Sequence, residues 1–91
     1  MDVLITREGE KEEFDQRKLY SSIYHPARVA EYTEEEAEEL AEDVCQAVVD
    51  WMEEQDDPVV TSDELREKTI EELEERDDEV AFLYDTHLDI N

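Results

Sequence analysis

Five of the eight basic residues of this 91-residue chain fall between positions 7 and 28, and such a cluster is what a polyanionic ligand needs. They are Arg7, Lys11, Arg17, Lys18 and Arg28, set against the acids Glu8, Glu10, Glu12, Glu13 and Asp15. That window is neutral, so the rest of the chain carries the whole formal charge of −23. Arginine offers a planar fork of donors to phosphate or carboxylate oxygens, and lysine a mobile point charge. The competing reading for Arg7 and Lys18 is surface pairing with Glu8, Glu12 or Asp15, worth about 0–1 kcal/mol.

Other chemistry finds little support. Ser21 or Ser22 beside His25 sets a hydroxyl near a base in sequence, without a geometry to make it a nucleophile. His25, His87 and Cys45 share no metal-ligand spacing, so no structural metal is expected. With carboxylates throughout, no pair stands out as a general acid and base. A single glycine, Gly9, cannot build a glycine-rich phosphate loop. These absences point to a binding module rather than an enzyme.

The elements that must position the cluster follow from periodicity. Val3 to Arg7 and Lys11 to Phe14 alternate as short strands around Gly9, the residue suited to positive φ in a hairpin turn. Asp15 caps a first helix with Lys18 in its first turn and Leu19, Ile23 and one of Tyr20 or Tyr24 inward. Pro26 should bend or interrupt it, with a turn or two resuming over residues 27–32. Thr33 with Glu36 forms a capping box for a long helix to about Glu54, whose stripe is Ala37, Leu40, Ala41, Val44, Cys45, Val48 and Met52. Cys45, on that stripe, reads as a small buried hydrophobe. Val59 and Val60 supply a third strand, and residues 61–64 open another helix with Leu65, Thr69, Ile70 and Leu73 inward. Asp77 or Asp78 begins a last helix packed through Val80, Ala81, Leu83, Tyr84 and Leu88.

Size allows one domain over residues 1–91. No apolar run approaches the roughly 20 residues of a membrane span, and the start has no signal-peptide pattern, so a cytoplasmic protein is expected. The 31 acidic residues suit a salt-rich, halophile-like setting, where a Debye length of about 3 Å at 1 M mutes their repulsion. Mimicry of nucleic acid by the carboxylates is the sharper alternative, and direct nucleic-acid binding is disfavoured for want of basic clusters.

Taken in order, these pieces resemble the ATP-cone domain, the nucleotide-sensing module of ribonucleotide reductases and of the repressor of their genes. The motifs that carry the likeness are Leu4-Ile5-Thr6-Arg7-Glu8-Gly9, then Phe14-Asp15 with Lys18, Thr61-Ser62-Asp63-Glu64-Leu65, and Val80-Ala81-Phe82-Leu83. The resemblance implies an α+β fold, a four-helix bundle capped by a small three-stranded sheet, with ATP or dATP between cap and helices. It implies phosphate contacts from Arg7 and Lys18, a base and ribose side at Glu12 and Asp15, and Thr61 near the nucleotide. Thr6 stands where the family has a lysine, and Tyr84 where a basic residue usually follows. High salt or Mg²⁺ is then expected to neutralise the phosphates. The implied function is a stand-alone regulatory module that binds ATP or dATP and signals to a protein partner or by self-association. The alternative is a degenerate cone without nucleotide binding that serves protein interaction.

Overall fold

Thr33 starts the longest helix as its chemistry requires: its hydroxyl accepts from the Glu36 amide at 3.2 Å while the Glu36 carboxylate accepts from the Thr33 amide at 3.0 Å. The computed structural model describes residues 4–7, 10–56 and 59–90, without the side chains of residues 4–7 and 87–90. Its elements are β1 (Leu4–Arg7), β2 (Glu10–Glu13), α1 (Gln16–Val29), α2 (Glu34–Glu54), β3 (Val59–Thr61), α3 (Ser62–Arg76) and α4 (Asp78–Ile90). The expected turn at Gly9, strand residue Val3 and the packing of Leu88 lie outside the described residues and side chains.

The core is built on α2, whose stripe is buried as the spacing predicts, with Val49 added. Leu19, Ile23 and Ala27 of α1, Val60 of β3, Leu73 of α3, and Val80, Ala81 and Tyr84 of α4 close on it. Each large apolar side chain so buried stabilises the fold by about 1.5–3 kcal/mol before entropy is counted. Cys45 is in this cluster, and burial pushes its thiol up to about 11, which keeps it protonated and inert at neutral pH.

The strands pair in the order β2-β1-β3, with β1 antiparallel to β2 and parallel to β3. Ile5 pairs with both Glu12 and Val60, and Thr6 with both Lys11 and Thr61. Residues in register share a face of the pleat. Glu12 therefore lies on the face of buried Val60, and Lys11 and Thr61 lie on the other.

The interruption expected as one outcome at Pro26 does not occur. Helix α1 runs without interruption from Gln16 through Pro26 to Val29, and residues 27–32 form no separate turn of helix. Pro26 sits in the last turn, so its missing N–H removes one hydrogen bond close to where the ladder ends anyway. The helix stops at Glu31, which takes φ 71°, with Tyr32 N–H bonded to Ala27 O at 3.1 Å and Glu31 N–H to Arg28 O at 3.0 Å. These are the paired bonds of a Schellman motif, built here on a glutamate in the left-handed region.

Candidate functional site

The two residues Phe14-Asp15 join β2 to α1, and an open cleft of about 800 Å³ lies at that junction. Its described lining comprises residues 12–18 and Tyr20. The size is that of small-molecule sites, which run to about 300–1,000 Å³. Glu12 reaches it from β2, Asp15 from the helix cap, and Lys18 from the first turn of α1. Three residues singled out from sequence thus meet on one cleft.

Asp15 holds the helix end: its Oδ1 accepts from the Arg17 amide at 2.9 Å. The start of α1 is otherwise unlike those of the other helices. Helices α2, α3 and α4 carry acids in the first turn, favoured by the helix dipole, whereas α1 carries none and places Arg17 and Lys18 there. Cations at that end oppose the dipole by about 0.3–1 kcal/mol each. A bound anion would offset that cost.

The ion-pair pattern separates these cations from most others. Arg28 pairs with Glu34, Arg66 with Asp85, and Lys68 and Arg76 with Glu72. Lys18 forms no ion pair with Glu12, Asp15 or any other described residue, so surface pairing does not account for it. Arg7 lies on the central strand with its main chain opposite Glu10, and its side chain is outside the description.

Thr61 stands apart from the cleft lining. It is exposed at the far edge of the sheet, and its hydroxyl accepts from the Glu64 amide at 3.0 Å while the Glu64 carboxylate accepts from the Thr61 amide at 3.1 Å. That capping box holds the β3–α3 junction. Tyr84, in the place of a cation, is a core residue with 5% exposure, its phenol pushed above its ordinary range by burial.

Sequence reasoning passed over Phe14, Gln16 and Tyr20 as parts of this site. Phe14 and Tyr20 are half-buried, packing one side against the core while lining the cleft, and Tyr20 stacks on Tyr24 with ring centroids 6.2 Å apart. Their apolar character reads from sequence as core alone. Among the described residues no group of three or more His, Cys, Asp or Glu is placed to hold a metal ion, and no helix is long and apolar enough to cross a membrane.

A model of the ATP cone domain family matches residues 3–84. The chain belongs to the ATP-cone family, whose domains are nucleotide-sensing regulatory modules that take ATP or dATP as allosteric ligands. No curated protein and no solved structure matches the chain.

Proposed function

We propose that this protein is a regulatory ATP-cone module that binds ATP or dATP in the β2–α1 cleft and passes the signal to a partner protein or to a second copy. The observation that carries the reading is the meeting of Glu12, Asp15 and Lys18 on one nucleotide-sized cleft, in a chain of this family. In this reading Lys18 and Arg7 take the phosphates, and Glu12 and Asp15 accept from the base and ribose. The rings of Phe14 and Tyr20 give the base an apolar surface. Thr61 fixes the junction that holds the sheet as a cap over the bundle, with residues 1–91 acting as one unit.

Charge sets a condition on binding. Three acids, Glu12, Glu13 and Asp15, face two cations, Arg17 and Lys18, in the described lining. A nucleoside triphosphate therefore enters as its Mg²⁺ complex, the metal arriving on the phosphates. The chemistry asked of the protein is recognition, and no bond-breaking step is assigned to any residue.

The test is an equilibrium titration with MgATP and MgdATP in molar KCl, followed by calorimetry. Saturable binding that weakens at least about tenfold in Lys18→Ala is the expected result, since a charge-assisted hydrogen bond is worth about 1.5–3 kcal/mol. Absence of heat or saturation at millimolar nucleotide would overturn the reading.

A further inference from the structure

We infer that Arg17 is a further phosphate-holding cation of this cleft, and that with Lys18 it makes the site selective for the length of the polyphosphate chain. The inference rests on the nucleotide reading above and adds to it a residue that the family likeness does not single out.

The argument is one of elimination followed by position. Among the described residues three cations, Lys11, Arg17 and Lys18, form no ion pair. Lys11 is excluded by position: it precedes the stretch of β2 that lines the cleft and is not part of that lining. Arg17 and Lys18 both line it. Both are exposed, and neither spends its charge on a carboxylate in a chain with 31 of them.

The backbone around Arg17 is fixed while its guanidinium is not. Its amide is held by Asp15 at 2.9 Å, so the first turn is set before any ligand arrives. Asp15 already serves that amide, so what Arg17 can offer an anion is its side chain. Adjacent on a helix, the two side chains diverge by about 100° and reach different oxygens of an extended chain. The guanidinium fork suits two phosphate oxygens at once, and the ammonium a third. A single phosphate can satisfy one of them, and a triphosphate both.

The experiment compares the intact chain with Arg17→Ala and Arg17→Lys by calorimetry, using ATP, ADP and AMP with Mg²⁺ in molar KCl. The expected result is a loss of roughly tenfold or more for ATP in Arg17→Ala, with AMP affinity changed less than about twofold, and partial recovery in Arg17→Lys. Thermal melting of the free protein separates ligand contact from structure: Arg17→Ala should melt no lower than the parent, because it removes a cation from the positive end of α1. ATP binding by the parent that Arg17→Ala leaves unchanged would overturn this inference while sparing the nucleotide reading. Equal losses for ATP and AMP would overturn chain-length selectivity. No binding by the parent would overturn the nucleotide reading itself.

Discussion

The hydroxyl of Tyr32 donates a hydrogen bond to Oδ2 of Asp77, tying the α1–α2 connection to the α3–α4 junction across 45 residues of sequence. Asp77 serves the junction twice over, because its Oδ1 also accepts from the amides of Glu79 at 2.9 Å and Val80 at 3.3 Å. It is thereby the cap of α4 and the partner of Tyr32 at once.

Removing each half of this latch should cost different amounts. Tyr32→Phe should destabilise by about 1 kcal/mol, the net worth of one hydrogen bond, and Asp77→Ala by about 2 kcal/mol, since the helix cap goes with it. Urea unfolding of both and of the double variant checks this, with the double variant less destabilised than the sum. Additive losses would mean that the two residues do not act together.

The same pair titrates at both ends of the pH range. The bond to Asp77, with burial added, pushes the Tyr32 phenol up to about 12 from its ordinary 10.0. A raised value in the folded state means stabilisation fully present below pH 10 and lost as pH rises through about 12. Asp77 is held below its ordinary range, by the Tyr32 bond first and the helix amides next, against opposing burial. Its contribution is present above the ordinary carboxylate value and is lost as pH falls through the lowered one. Unfolding followed from pH 8 to pH 12 should show an alkaline loss that Tyr32→Phe reduces without removing, since the raised Cys45 and Tyr84 groups contribute to it as well.

At Glu31 the chain accepts a left-handed conformation that glycine would take without cost. Glu31→Gly should stabilise the protein by about 0.5–1 kcal/mol by removing that strain. The shift of the urea midpoint measures it, and an unchanged or lower midpoint would contradict the motif.

Glu72 is nearly buried on α3, with Lys68 Nζ at 2.9 Å and Arg76 Nη1 at 3.0 Å from its two oxygens. The hydrogen bond from Lys68, aided by Arg76 and opposed by burial, holds its carboxyl below the usual range. Glu72→Gln should cost about 1–2 kcal/mol at pH 7, where the charge-assisted bonds are intact. The gap between parent and variant should close as pH falls through the lowered Glu72 value. A gap independent of pH would show that the charge of Glu72 contributes nothing.

These residues mark the boundary of what the sequence makes legible. Helix α2 is readable in full, because a capping box and a seven-residue stripe both act within one element. Asp15, Lys18 and Glu12 are readable as site candidates through the family likeness, and the short junction between consecutive β2 and α1 is what brings them to one cleft. Pro26 misleads because a helix tolerates the lost bond in its final turn. Glu72 and the Tyr32–Asp77 bond are invisible for a different reason: one acid among many is buried, and one tyrosine finds one aspartate, only through tertiary packing. The rings of Phe14 and Tyr20 carry two roles, and hydropathy reports one of them.

The charge of −23 predicts a response to salt. Raising KCl from about 0.1 M to about 1 M shortens the Debye length from about 10 Å to about 3 Å, so repulsion among the acids should fade and the melting temperature should rise. Calorimetric melts across that range check it. A melting temperature that falls with KCl would mean that the ion pairs of α3 outweigh the repulsion.

The central claim is that the β2–α1 cleft holds the nucleotide, and an amide chemical-shift map under MgATP titration in molar KCl tests it most directly. The account predicts saturable shifts largest over residues 12–20, with smaller changes along α2. Shifts centred elsewhere, or none at millimolar nucleotide, would contradict it.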